Sequence, residues 1–166
     1  MNRQTQFLHS GFSLVELSVA MAVFSMGLGS LSIMLLAAIH GTAEARHETV
    51  AAIQADSLAE VIAMSSDAYG HYINPPGPDQ AACEGDSCNA QDLASANLTS
   101  WHTLLRKELP GGTGLVCRDS TPADGNASDP LCDGNGTVVV KVFWSEPGHE
   151  DSEDGGLKRL VSRLPW

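Results

Sequence analysis

The sequence predicts an α+β fold, a long N-terminal helix packed on a small antiparallel sheet of three to four strands. Three observations carry it. From Phe12 to Ile39 the chain is predominantly apolar with Glu16 as its only charge, and an apolar stripe continues at Ala51, Ala55, Leu58 and Ile62. After residue 112 come three stretches of strand-forming residues. Asp/Gly-rich segments separate them. The 166 residues suffice for one domain, and beyond the apolar helix roughly 125 remain for a core, with little spare area for a deep enzyme cleft. A formal net charge of -11 excludes the basic footprint that nucleic-acid binding requires.

As a helix, Phe12–Ile39 spans about 42 Å at 1.5 Å per residue, longer than the roughly 30 Å hydrocarbon core of a bilayer. A secretory signal has an apolar region of only about 7–15 residues, so cleavage after Ala45, where Ala43 and Ala45 mimic a small-x-small site, is disfavoured by length. The carboxylate of Glu16 costs about 2.5–3.5 kcal/mol in such a segment, so it needs a partner, or else reaches the headgroups from the helix end. Val50 and Val61 flank the stripe, and Glu44, Arg46, Glu48, Gln54, Asp56 and Glu60 fill most of the remainder. One helix is therefore expected from about Phe12 to Met64, membrane-bound first and packed on a head second. Gly27 and Gly29 read as the glycine content usual in membrane helices rather than as a melting point.

Residues 65–89 read as loop, with Asn74-Pro75-Pro76-Gly77-Pro78 forbidding regular structure. A second helix is expected over 91–109, where Leu93, Leu98, Trp101, Leu105 and Leu109 give an imperfect apolar face and Pro110-Gly111-Gly112 ends it. Strands are expected over 114–118, 137–144 and 157–164, with the β-branched and aromatic TVVVKVFW as the central one. Asn135-Gly136 reads as a hairpin turn before it.

Cys83, Cys88, Cys117 and Cys132 all follow the apolar helix. They lack the tight pairs of a zinc site, and His71 and His102 do not supply ligand spacing, so no metal and no cofactor is expected. Disulfides suit an exported small domain, and of three connectivities the two local ones, Cys83–Cys88 and Cys117–Cys132, are favoured. The Asp-rich residues 119–136 lack the ligand spacing of an EF-hand and read as a solvated loop before a calcium cage. The run Glu150-Asp151-Ser152-Glu153-Asp154 reads as a self-repelling surface turn. No nucleophile elbow, P-loop, dinucleotide fingerprint or zinc-protease helix occurs, and His102 reads as packing or helix surface, so no enzyme is expected.

Gly11-Phe12-Ser13-Leu14-Val15-Glu16, behind a short leader with Arg3 and ahead of an apolar helix, resembles the class III signal of a bacterial type IV prepilin. The resemblance implies that 1–11 is a leader cut after Gly11 by a membrane aspartic peptidase, the prepilin peptidase, and that Phe12 is then N-methylated. It further implies that 12–39 is the transmembrane and filament-core half of the helix and that 40–166 is a periplasmic head. A hydrogen at Gly11 lets a peptidase groove approach the backbone closely. Glu16 matches the family's fifth-position glutamate, implied to pair with a neighbouring subunit's terminal amine and so set register.

Cys83-x4-Cys88 followed by Gln91, Leu93, Ala94, Trp101 and Leu-Pro-Gly-Gly at 109–112 is similar to PilV-type minor pilins, as is Ala55-Asp56-Ser57-Leu58-Ala59-Glu60. The arginine-rich continuation usual there is replaced by Val61-Ile62-Ala63-Met64, and residues between Cys117 and Val138 have no counterpart. The implied role is a minor pilin in a priming or tip complex supporting pilus assembly, adhesion and twitching motility. Its implied partners are other minor pilins and the major pilin, and its implied place is the inner membrane, single-pass, then the pilus. The alternatives are a minor pseudopilin of a type II secretion system and an uncleaved bitopic membrane-anchored binding protein.

Overall fold

A computed structural model describes residue 11 and residues 13–73, 88–148 and 156–164. In order, these form helix α1 (Leu14–Met64), a 3-10 turn (Ser66–Ala68), a short helix α2 (Tyr69–Tyr72), helix α3 (Ala90–Glu108) and strands β1 (Thr113–Asp119), β2 (Thr137–Ser145) and β3 (Leu157–Arg163). The strands form one antiparallel sheet in the order β1-β2-β3. The architecture is α+β and pilin-like. The chain divides into two compact units, Met1–Ala43 and Glu44–Trp166.

In the second unit, Ala51, Ala55, Leu58 and Ile62 turn the predicted stripe of α1 into the core, each no more than 3% exposed. Asn89 caps α3 by accepting a hydrogen bond from the Asp92 amide at 2.8 Å. The buried face of α3 is Ala94, Leu98, Trp101 and Leu105, spaced 4, 3 and 4. Leu93, expected on that face, lies at its margin and is 39% exposed, because the face that meets α1 and the sheet is centred one residue later. Trp101 satisfies its indole N–H on the Gln54 carbonyl of α1 at 3.0 Å. Gly114 permits the close contact of α3 with β1. A Cβ there would lie 2.5 Å from the Trp101 ring and 2.7 Å from the Lys141 carbonyl.

Residues 66–72 correct the loop expected over 65–89. Ala68 and Tyr72, one helical turn apart, enter the core, and the Tyr72 hydroxyl accepts a hydrogen bond from Asn97 Nδ2 at 2.6 Å. One turn of helix among Ser65, Ser66, Asp67 and Gly70 is too short to register as a period. The Asn74–Pro78 punctuation lies outside the described residues.

The register separates the two faces of the sheet. Val138, Val140, Val142 and Trp144 of β2 face the helices, alongside Val116 of β1 and Leu160 of β3. Val139, Lys141 and Phe143 point the opposite way, yet none is more than 1% exposed. Residues 120–136 cover that second face. Cys132 of this loop is disulfide-bonded to Cys117 of β1. Lys141 Nζ donates to the Pro130 carbonyl at 2.7 Å and to the Asp124 carbonyl and Oδ1 at 3.2 and 3.3 Å. It also forms an ion pair with Asp119, both side chains being wholly buried. The guanidinium of Arg159 reaches over from β3 to the carbonyls of Ala123 and Gly125.

The acidic loop is thus wrapped around a built-in cation. The connection between β1 and β2 is this long excursion rather than a two-residue hairpin, and Asn135-Gly136 forms only its last step, with Gly136 at φ +75°. The Cys117–Cys132 bridge closes a separation of 15 residues. Replacing both cysteines by serine is therefore expected to cost about 3 kcal/mol by loop-closure entropy, seen as a lower urea midpoint in tryptophan fluorescence. An unchanged midpoint would show the loop to be held by its polar contacts alone.

Candidate functional site: the leader junction and the apolar helix

Gly11 is exposed, and a Cβ built on it would meet nothing within 4 Å. Nothing among the described residues excludes a bulkier residue there. Leader residues 1–10 and Phe12 lie outside the described residues, so only the Gly11 side of the expected scissile bond is seen. Ser13 opens α1, its carbonyl accepting from the Leu17 amide at 3.1 Å. Glu16 stands in the first turn, where a negative charge complements the positive end of the helix dipole. Among the described residues no cation pairs with it.

From Leu14 to Ala43 no side chain is buried, although Leu14, Val19, Phe24, Met26, Ile33 and Leu35 are among the large apolar groups displayed. Such a surface is unstable in water and demands lipid or other apolar helices. The polar groups in this stretch are arranged for that setting. Ser18, Ser25 and Ser32 donate to the carbonyls of Leu14, Met21 and Leu28 one turn back. Ser30 and Thr42 do the same to Gly27 and Ile39 at three residues' distance. Every hydroxyl of the segment is satisfied by its own helix, so none is left bare in hydrocarbon. Glu16 is the one carboxylate of the segment. In a buried helix bundle an unpaired carboxylate would be costly without a cation beside it.

Residues 8–32 match the model of the prokaryotic N-terminal methylation motif. The chain carries a prepilin-type methylation motif. That motif fits a type IV pilin or a pseudopilin and suggests a structural protein. The motif implies processing by prepilin peptidase and assembly with other pilins, and the exposed apolar helix accords with membrane anchoring. No curated protein and no solved structure matches the chain.

Of the cysteines singled out by sequence, Cys117 and Cys132 are joined and Cys88 is disulfide-bonded, while Cys83 lies outside the described residues. Cys117, Cys132 and Asp119 form the one His/Cys/Asp/Glu cluster compact enough for a metal among the described residues. Its thiols are consumed in the disulfide and its carboxylate faces Lys141. His102 rests against Trp101 and bonds through Nε2 to the Gly114 carbonyl at 2.8 Å, a packing position.

Two polar clusters that sequence reasoning missed fix the head to α1. His47 Nδ1 lies 3.1 Å from both carboxylate oxygens of the buried Glu146, which also accepts from the Trp144 indole at 2.7 Å. Lys158 of β3 donates to Glu44 at 2.6 Å. That bond, with the charges of Glu44, Glu48 and Glu146, holds its ammonium above the usual lysine range. In the loop, the Ser120 hydroxyl and the Asn135 amide hold the Asp133 carboxyl below its ordinary range. The Thr121 hydroxyl, and more weakly Lys141, do so for Asp124.

Proposed function

We propose that this protein is a minor pilin of a type IV pilus, similar to the PilV type. Prepilin peptidase cuts between Gly11 and Phe12, Phe12 is N-methylated, and the head remains periplasmic until its helix leaves the inner membrane for a filament core. The observation that carries the reading is the Gly11–Glu16 motif opening a helix that buries no side chain from Leu14 to Ala43 and satisfies its own hydroxyls over that stretch. Glu16 is then the register element, pairing with a neighbour's amine, and the head faces outward in a priming or tip complex that supports assembly, adhesion and twitching motility. The spacing of Cys83 and Cys88 and the Leu-Pro-Gly-Gly at 109–112 support the PilV type.

The test is the intact mass of the chain from native membranes with N-terminal peptide mapping. A chain beginning at N-methylated Phe12 is expected. One still beginning at Met1 in cells with active prepilin peptidase would favour the uncleaved bitopic anchor. A minor pseudopilin would share the processing and is separated by phenotype, since deletion would then abolish secretion and leave twitching intact.

A further inference from the structure

The two edges of the sheet are finished differently. On the β1 edge, His102 Nε2 meets the Gly114 carbonyl at 2.8 Å and the Gly134 amide donates to the Arg118 carbonyl at 3.1 Å, so both of these carbonyls are taken. The β3 edge has no such cover. The Leu164 amide donates to the Val138 carbonyl and the Glu146 amide to the Gly156 carbonyl, which with the register makes the even-numbered residues of β3 the ones bonded to β2. The N–H and C=O groups of Leu157, Arg159, Val161 and Arg163 therefore point outward, and none of them has a hydrogen-bond partner among the described residues. The strand is seven residues long, holds no proline and pairs with β2 without a bulge, so its edge is an unbroken template for another strand.

The side chains of β3 dictate what such a strand must carry. Three of the chain's 9 lysines and arginines, Lys158, Arg159 and Arg163, fall on this strand of a chain whose formal net charge is -11. Lys158 is committed to Glu44 of α1. Arg159 and Arg163 lie exposed on the opposite face, on either side of half-buried Val161. Arg159 holds only the carbonyls of Ala123 and Gly125, and no described carboxylate pairs with either arginine. Pairing β3 with a second copy of itself about Val161 would set Arg159 directly opposite Arg163, which like charges oppose. Acids at the same four-residue spacing are attracted instead.

We propose that the β3 edge receives an extended strand from a different chain, with carboxylates opposite Arg159 and Arg163 and an apolar residue opposite Val161. Main-chain hydrogen bonds to Arg159, Val161 and Arg163 hold the strand, and the two ion pairs fix its register. Because the two strands are unlike, pairing stops at one partner for each copy, which suits a minor subunit. That the strand belongs to a neighbouring subunit rests on the minor-pilin reading, whereas the open edge and its charge do not.

The test uses the full chain in lipid nanodiscs and two synthetic peptides at millimolar concentration, Thr-Glu-Thr-Val-Thr-Glu-Thr and its analogue with lysine for both glutamates. Alone, the amides of Arg159, Val161 and Arg163 should exchange freely with solvent. The acidic peptide is expected to slow them about tenfold, and the basic one to leave them unchanged. Arg159→Glu combined with Arg163→Glu should reverse that preference, which also shows that this variant folds. Val161→Pro removes an outward N–H at no loss of bonding to β2, and should abolish the protection while the amides of Val140 and Val142 stay protected. In native membranes, a photo-cross-linking phenylalanine analogue at position 163 should join a different chain at a segment with acids four residues apart. An edge already protected without peptide, no response to the acidic peptide, an equal response to both, or a cross-link only within the chain or to a second copy would each overturn the proposal. Failure of the pilin reading appears separately, as an uncut N-terminus on the cross-linked chain.

Discussion

Lys141→Met is expected to destabilise the head by about 3–5 kcal/mol, a large share of a small domain's stability. Lys141 and Asp119 are both wholly buried, and Asp119 Oδ2 has the ammonium as its neighbour with no other hydrogen-bond donor. Removing the lysine leaves a carboxylate in a dry site with only the Thr121 amide on its other oxygen. It also strips the donor from the Pro130 and Asp124 carbonyls, loosening the cover on Val139 and Phe143. The pair itself contributes far less than its rupture costs, because desolvating both ions offsets most of their attraction. Adding Asp119→Leu to Lys141→Met should therefore recover a substantial part of the loss. Urea denaturation of both variants checks this. A single variant within 1 kcal/mol of the parent would mean that water reaches Asp119 and that the loop does not depend on its internal cation. The Cys117–Cys132 bridge constrains the same loop, so its loss and that of Lys141 should combine non-additively.

That lysine also marks where the sequence ceased to be legible. The α1 stripe at 51, 55, 58 and 62 and the strand TVVVKVFW were readable because each element announces itself through neighbouring residues. The polar wiring of Lys141 connects residues 11–22 positions apart, and no period records such a contact. One signal was available. A central strand that is apolar at nearly every position is covered on both faces, so a lysine within it must find anions, and the Asp-rich segment just upstream holds them. Read separately, the segment resembles a solvated loop, and the lysine reads only as part of the strand. His47 and Glu146 are farther still, 99 residues apart, and nothing in either neighbourhood foretells their contact. The candidate N-terminal site was legible for the opposite reason: its motif occupies six consecutive residues and acts through other molecules, not through this chain's own folding.

Because that site acts on partners, its two residues should fail at different stages. Gly11→Val is expected to leave the head folded, since no atom of the described residues approaches that Cβ, but to block processing by denying a peptidase close access to the backbone. An unchanged cleavage rate would remove the steric account of the glycine. Glu16→Ala should be cleaved normally and held in the membrane at least as well, because it removes a carboxylate costing about 2.5–3.5 kcal/mol there. What it would forfeit, in the proposed register role, is pairing with a neighbour's terminal amine. If that amine is left buried alone in an apolar helix bundle, the cost is about 3–5 kcal/mol, which lowers incorporation at least a hundredfold. Immunoblotting of sheared filaments against membranes, with the N-terminus of each pool mapped, separates the stages. Normal incorporation of Glu16→Ala would sink the ion pair and return Glu16 to a helix-end charge at the headgroups. Loss of both cleavage and incorporation would instead assign Glu16 to recognition by the peptidase.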